Sequence, residues 1–272
     1  MPAFLQFRKS ISLTEWAVHF WSHFLEHSIE THWARDRPDH PAFQAMFAAF
    51  NLPQEGHEGW LWSDPNNHLH IRNADLEDYR RRFFAMVKSL ALVRSYNALE
   101  ILLFQAVLWA YFPSEKLISG KNATRKGEEL IKKAFREGMV NGKMDSTNNR
   151  HLLAFIAQKS AAFDIFFSQK IRSDMHTTWS GFFEFISIIR NINTHQGGLL
   201  TQDTLNQLKS ASKELFERAF DYEEEGEDHF ALLPMEGDNF VLLIALIKDF
   251  AVNASKHIFD QADLAFLGLQ KC

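Results

Sequence analysis

Cysteine is almost absent from this chain of 272 residues, whose single copy is Cys272. No disulfide can form within the chain, so a secreted scaffold held by disulfides is excluded and a reducing compartment is expected. Residues 1–9 lack the apolar run and cleavage site of a signal peptide. The longest apolar stretches, within 101–112 and 240–247, are shorter than the roughly 18 to 20 residues that span a membrane. We therefore expect a cytoplasmic protein with no membrane partner.

Glycine and proline are also scarce, with 12 and 7 copies, and apolar residues recur at the spacing of amphipathic helices. The 26 Phe against 4 Tyr indicate rings packed in a core, because few of these rings carry a polar group that needs a partner. The net charge of −5 argues against a protein that coats DNA without sequence preference. The sequence predicts an all-α fold.

The pattern predicts helices at about 12–33, 41–50, 74–112, 124–139, 151–172, 177–196, 201–222 and 239–259. The third is long enough that we expect a bend or break in it. Residues 51–73 contain turn chemistry around Asp64-Pro65-Asn66-Asn67, with a short extended piece at 68–71. This segment predicts a boundary between an N-terminal helical extension with its irregular loop, 1–73, and a helical bundle, 74–272.

Positive charge is concentrated between residues 116 and 172, which contain twelve Lys and Arg but only five Asp and Glu. Such a local basic surface in an acidic protein suits a groove that binds a polyanion, because neutralised phosphates release their counterions. A solvated helix face would give the same composition. The candidate RNA-binding residues are Lys121, Arg125, Lys126, Lys132 and Lys133.

The segment richest in chemistry is Arg190-Asn191-Ile192-Asn193-Thr194-His195, near the end of a predicted helix. Asn191 and His195 are four residues apart and share a face, whereas Arg190 is offset from His195 by roughly 140°. In the last helical turn an imidazole can serve as acid or base, and a nearby Arg can hold a phosphate. A helix-capping His beside a surface Arg would show the same pattern.

This Arg-Asn-x-x-x-His-x-Gly segment, in a helical chain, resembles the Arg-x4-6-His motif of the HEPN superfamily, over about residues 75–222. The resemblance implies a helical bundle that acts as a homodimer. It also implies a metal-independent endoribonuclease of prokaryotic antiviral defence or toxin–antitoxin systems. An antitoxin or an activating protein would be a further partner. His195 would act in proton transfer, Arg190 would stabilise the transition state, and Asn191 would orient the imidazole or the phosphate. Glu100, at the place of an early bundle helix, is a candidate fourth catalytic residue or a surface charge. No cofactor or metal is implied. The alternative is a non-catalytic module that binds a nucleotide, RNA or protein through the dimer cleft.

Three other patterns carry weaker predictions. Glu15, His19, His23 and His27 repeat every four residues, but a polar face opposite Trp16, Phe20 and Phe24 explains them better than a zinc site. Trp60 and Trp62 could stack on bases or anchor their loop. Arg80, Arg81 and Arg82 are candidate phosphate contacts next to acidic neighbours.

Overall fold

A computed structural model of the chain describes a mostly helical protein with a small amount of β-sheet. The described residues are 2–32, 41–51, 60–111, 129, 152–153, 156–157, 160–195, 199–224, 229–234 and 238–258. The helices are α1 (Pro2–His32), α2 (Leu76–Tyr111), α3 (Ala161–Ser168), α4 (Trp179–His195), α5 (Gln202–Ala219) and α6 (Asp238–Ile258). The strands are β1 (Pro41–Asn51), β2 (Trp60–Arg72), β3 (Leu199–Thr201), β4 (Phe220–Glu224) and β5 (His229–Pro234).

The chain divides into two compact units, one of residues 1–18 and 88–272 and the other of residues 19–87. Both α1 and α2 therefore contribute residues to each unit. The domain boundary predicted after residue 73 stays a prediction.

The prediction of a helix at 41–50 is wrong, because Pro41–Asn51 is a strand paired antiparallel with Trp60–Arg72. A short apolar run fits a helix or a buried strand equally well, and here the partner strand decides. Between the pairs Met46–His68 and Ala48–Ser63 the register shifts. The predicted turn residues 64–67 thus form an irregularity within the hairpin, where extra residues are accommodated opposite one strand.

The first helix begins ten residues earlier than predicted, at Pro2, so Ser12, where the predicted helix starts, lies inside it. Proline is tolerated in the first turn of a helix because its missing N–H has no partner there. Phe4, Phe7 and Ile11 form the buried face of α1. Trp16 and Phe20 are exposed, although the sequence places them together on one face.

The predicted helix 151–172 is interrupted at Ser160, which has extended backbone angles and caps α3 by accepting a hydrogen bond from Phe163 N at 3.1 Å. In contrast, α2 runs unbroken over nearly all of its predicted span. The predicted helix 124–139 lies almost entirely outside the described residues.

A three-stranded antiparallel sheet in the order β3-β5-β4 was also missed by the helical prediction. Two of its strands flank α5 in the sequence. β3 ends at Thr201, which caps the helix, and β4 begins at Phe220, directly after the helix. The predicted helix 201–222 therefore ends at Ala219. Leu200 and Phe220 are buried and attach the sheet to the core of the first unit.

Aromatic rings fill the core of the unit formed by residues 1–18 and 88–272, as the sequence predicts. Phe250 of α6 is fully buried and lies 5.7 Å from Trp179, 5.6 Å from Phe183 and 5.9 Å from Phe166, measured between ring centroids. These rings come from α3, α4 and α6. The packing fixes α4 in the middle of this core.

The helices α4 and α5 approach each other closely at Gly181, where an added Cβ would lie 2.7 Å from the carbonyl oxygen of Ala211. The next residue, Ser212, has non-helical backbone angles and divides α5 into two segments. Its buried hydroxyl is 2.5 Å from that of Thr177 and accepts a hydrogen bond from Leu215 N. Ser212 thus caps the second segment of α5.

We expect Gly181→Ala to lower the free energy of unfolding by about 1–3 kcal/mol, because a backbone oxygen cannot move aside without shifting a helix. In an uncrowded helix the same change would stabilise by up to about 1 kcal/mol, so the sign tests the contact. Urea unfolding measures the difference. Ser180→Ala, at the exposed neighbouring position, is the control, and stabilisation by Gly181→Ala would contradict the close approach.

At the end of α6, His257 stacks on Phe166 with ring centroids 5.0 Å apart. Burial, and secondarily the charge of Lys256, lower the pKa of His257 from its ordinary value of 6.5. The neutral imidazole is therefore favoured by folding. Its contribution to stability is present above about pH 6.5 and is lost as the pH falls from there through the lowered pKa of the folded state.

Replacing His257 with Gln should accordingly reduce the loss of unfolding free energy at acidic pH. We expect the free energy of unfolding, from urea titrations at several pH values between 7.5 and 5, to fall less steeply for His257→Gln than for the wild type. His176→Gln removes an exposed His and serves as the control. Equal slopes for the wild type and His257→Gln would show that His257 does not contribute to the acid sensitivity.

Among the described helices, α2 is long and apolar enough over Leu76–Val107 to cross a membrane by length and composition. The mean hydropathy of its most apolar stretch is 1.3, and 61% of that stretch is buried within the protein. Burial of this extent is common in the core helix of a globular unit.

Candidate functional site

Helix α4 carries the Arg190-to-His195 segment and is anchored by its apolar face. Thr178 caps the first turn, with its hydroxyl accepting a hydrogen bond from Gly181 N at 3.2 Å. Phe182, Ile186 and Ile189, which are spaced to lie on one face of the helix, are all buried. The helix ends at His195, so the segment occupies its last turn and a half, as predicted.

The Arg190 side chain is partly buried and points toward its neighbour in sequence. Its Nη1 donates a hydrogen bond to Asn191 Oδ1 at 3.0 Å. Its Nε is buried and has no hydrogen-bond partner among the residues that the structure describes. Within the described residues no carboxylate forms an ion pair with Arg190, so its positive charge is not neutralised by a fixed acidic side chain there.

The hydrogen bond from Arg190 to Asn191 determines on which face of α4 the guanidinium lies. Along a helix, Arg190 and His195 are separated by roughly 140° and by about 7.5 Å of rise, whereas Asn191 and His195 lie one above the other. By reaching Asn191, the guanidinium is directed to the face that carries His195. The guanidinium thus lies next to Asn191, one helical turn before His195 on that face.

His195 is exposed in the last turn of α4 and makes no side-chain hydrogen bond within the described part of the chain. Four residues later the chain enters β3, where Leu200 is fully buried. The backbone that carries His195 is therefore anchored on both sides. Its imidazole is free to meet a ligand or a second copy of the chain.

Two residues that the sequence analysis did not single out support this turn. Thr194 Oγ1 donates to the carbonyl oxygen of Arg190 at 2.7 Å, and Asn193 Nδ2 donates to that of Ile189 at 2.9 Å. Short polar side chains in a helix commonly form such bonds to the carbonyl four residues earlier. That spacing, readable in the sequence, was the signal that could have identified them.

Glu100 is partly exposed on α2, one helical turn after Tyr96. The Tyr96 ring lies 5.7 Å from that of Phe183, and its hydroxyl donates to Ser187 Oγ at 3.4 Å, so α2 packs directly on α4. In the described structure no hydrogen bond or ion pair joins Glu100 to Arg190, Asn191 or His195. Its catalytic assignment remains a prediction.

The five basic residues predicted to bind RNA, which are Lys121, Arg125, Lys126, Lys132 and Lys133, lie outside the described residues. Of the basic segment 116–172, the structure describes Lys170, which is exposed, and Arg172, which forms an ion pair with Asp174 at 3.0 Å. The RNA-binding prediction for the five residues stands on the sequence alone.

The arginine triplet at 80–82 is engaged by carboxylates. Arg81 and Arg82 contact Asp78 at 3.0 and 2.9 Å, and Arg80 contacts Glu77. The hydrogen bond from Arg81, followed by that from Arg82, lowers the pKa of Asp78 below its ordinary value. Pairing of this kind reduces the charge that the triplet offers to a phosphate.

The repeated His residues of α1 are close to each other, with the rings of His19 and His23 at 4.3 Å between centroids. Among the described residues, no group of three His, Cys, Asp or Glu side chains could hold a metal ion. Glu15, the acidic member of the repeat, contacts Lys248 of α6 instead. Trp60 and Trp62 lie in β2, and the structure does not describe their side chains.

Comparison with protein-family models, curated proteins and solved structures found no match for this chain.

Proposed function

We propose that this protein is a metal-independent endoribonuclease of the HEPN type, with Arg190, Asn191 and His195 at its active site. The observation that carries the proposal is the hydrogen bond from Arg190 to Asn191, which directs an arginine with no acidic partner among the described residues to the face of α4 that bears an exposed His195. The mainly helical fold, with α2 packed on α4, is consistent with the bundle that the motif resembles.

In the proposed reaction the 2′-oxygen of a ribose attacks the adjacent phosphorus and the bond from phosphorus to the 5′-oxygen breaks. One His195 accepts the 2′-hydroxyl proton, and a protonated imidazole donates a proton to the leaving 5′-oxygen. Arg190 stabilises the extra negative charge on the phosphoryl oxygens in the transition state. The products are a 2′,3′-cyclic phosphate and a 5′-hydroxyl.

A homodimer would supply the two imidazoles that acid and base catalysis require. Each chain contributes one His195, located at the end of a helix and accessible from solvent. Two such helix ends facing each other would place two cations and two titratable groups around one phosphate. In a toxin–antitoxin or antiviral setting, a protein partner that separates or covers these ends would restrain the activity.

Cleavage of a mixed RNA pool in EDTA tests the proposal directly. We expect fragments that end in a 2′,3′-cyclic phosphate, identified by mass spectrometry, and a dimer in light scattering at the same protein concentration. Fragments that end in a 3′-hydroxyl would exclude attack by the 2′-oxygen. Binding of the RNA without cleavage would favour the second candidate, a module that holds RNA or a nucleotide with Arg190.

A further inference from the structure

A second apolar stripe runs along α1 on the side opposite its buried residues. The large side chains that form it are between 43% and 61% exposed, and they are Leu5, Leu13, Trp16, Phe20 and Phe24. We call these five residues the outer stripe. At 100° per residue they lie within an arc of about 100°, roughly opposite the buried Phe4, Phe7 and Ile11. A contiguous exposed apolar surface of this kind marks an interaction site.

The aromatic part of the outer stripe is ordered by contacts between its own rings. Phe20 and Phe24 stack with centroids 6.1 Å apart and an angle of 14° between the ring planes. The ring of Trp21 lies 5.8 Å from that of Phe24. Rings held in this way lose little further side-chain freedom when a partner covers them, which favours association.

The charges at one edge of the outer stripe specify how a partner helix lies on it. Arg8 and Glu26 are exposed and 18 residues apart, which is five helical turns, so they lie at the same edge. Glu26 is 4.0 Å from Arg80, and half of its side chain remains exposed. Between two antiparallel α1 helices the same edges meet in reversed order, so Arg8 of each copy faces Glu26 of the other. A parallel pair would instead bring like charges together.

We propose that the outer stripe is a two-fold interface between two copies of this chain, with their α1 helices antiparallel. The two-fold axis passes at Ala17, midway between Arg8 and Glu26, and Leu13 of one copy packs beside Phe20 of the other. Each copy then uses the same surface, as a two-fold contact requires. The interface involves neither Arg190 nor His195.

The apolar area of the outer stripe is sufficient for a specific interface. Each half-exposed side chain offers on the order of 100 Å², so two copies would bury roughly 1,000 Å² of apolar surface, the lower limit for a specific contact. The net charge of −5 makes an anionic lipid surface a poorer occupant, because such a surface repels the chain.

Cross-linking of single cysteines tests the antiparallel arrangement on the full chain, in which Cys272 is first replaced by Ser. With a short bifunctional maleimide we expect Ala17→Cys to give cross-linked dimers, because the two copies of residue 17 meet at the axis. Gln6→Cys, at the same edge of α1 as Ala17, is the control. Its two copies would lie about 33 Å apart along the helices and should not be linked. Failure to link Ala17→Cys, or equal linking of both variants, would overturn the arrangement.

Sedimentation equilibrium of charged variants tests the interface itself. Leu13→Glu should weaken self-association by about 100-fold or more, because two leucines are lost from each dimer and two carboxylates lose water. Val241→Glu adds the same charge at an exposed position of α6 and should associate as the wild type does. Circular dichroism of both variants should match that of the wild type. Unchanged association of a folded Leu13→Glu would overturn the proposal.

Exchanging the two charges separates recognition from a loss of folding. Arg8→Glu and Glu26→Arg should each weaken association by about three- to tenfold, and the double variant should restore it to within about twofold. No recovery in the double variant would overturn the pairing of Arg8 with Glu26. Binding to phosphatidylcholine vesicles without cross-linking at Ala17 would assign the outer stripe to lipid and overturn the proposal. His195→Ala should cross-link at Ala17 as the parent does, so this proposal and the proposed function can fail separately.

Discussion

His195→Ala is expected to reduce the rate of RNA cleavage in EDTA by about 10²–10⁴-fold, the usual contribution of a general acid or base. The exposed imidazole has no structural hydrogen bond to lose in the described part of the chain, so the variant should fold and unfold as the wild type does. The measurement is the initial rate of cleavage at matched protein concentration. A stable variant that retains full activity would remove His195 from the mechanism.

Arg190→Ala should lower the rate by about 10²–10³-fold, because it removes the donor aimed at the charge that develops in the transition state. Asn191→Ala breaks the 3.0 Å bond that directs the guanidinium and should cause a smaller loss. Arg172→Ala and His176→Ala remove an arginine and a histidine that are exposed outside the motif, and they should leave the rate unchanged.

Mixing the two inactive variants tests whether one site needs both imidazoles. Half of the dimers in an equal mixture of Arg190→Ala and His195→Ala are mixed, and each of these keeps only one His195. The proposed reaction uses an imidazole from each chain, so the mixture should stay below about 1% of the wild-type rate. Recovery of about a quarter of the wild-type activity, with exchange of subunits shown by native mass spectrometry, would mean that a site needs only Arg190 of one chain and His195 of the other, and it would overturn the use of two imidazoles.

Phe250→Ala is the substitution with the largest expected effect on folding, a loss of about 3–5 kcal/mol in the free energy of unfolding. Phe250 is fully buried, and its ring lies within about 6 Å of three rings from α3 and α4. Removing the ring leaves a cavity that these large, rigid neighbours cannot fill. A loss of this size is a large share of the stability of a typical domain.

Urea unfolding followed by circular dichroism measures this loss. Val241→Ala changes an exposed position of the same helix and should alter the stability by less than about 0.5 kcal/mol. A loss below about 1 kcal/mol for Phe250→Ala would mean that the core closes around the missing ring, which would contradict the packing described for α3, α4 and α6.

The sequence predicts three of the long helices well because the residues that mark their ends are local in the sequence. α2, α4 and α6 begin and end within three residues of their predicted bounds, where capping residues and prolines mark the ends. The strand Pro41–Asn51 could not be predicted this way, because its conformation depends on pairing with residues 60–72. In the three-stranded sheet, β3 likewise pairs with β5 about 30 residues later in the chain.

The candidate site was predictable in its residues but not in its contacts. The spacing of Asn191 and His195 places them on one face of a helix. The long Arg190 side chain has several rotamers, and its surroundings determine which of them it adopts. The exposed aromatics of α1 show the same limit. Apolar residues occur on more than one side of that helix, and only its packing into the core determines that Phe4, Phe7 and Ile11 are the buried ones.

The break at Ser212 has a consequence for how cooperatively α5 holds together. A helix loses structure from its ends, and a capping serine inside α5 provides two additional ends in the middle. The segments 202–211 and 212–219 can therefore fray separately, each too short to be stable without its contacts to the rest of the unit. The persistence of α5 is thus set by its neighbours, β3 and β4 at its termini and α4 along its side, more than by the helix itself.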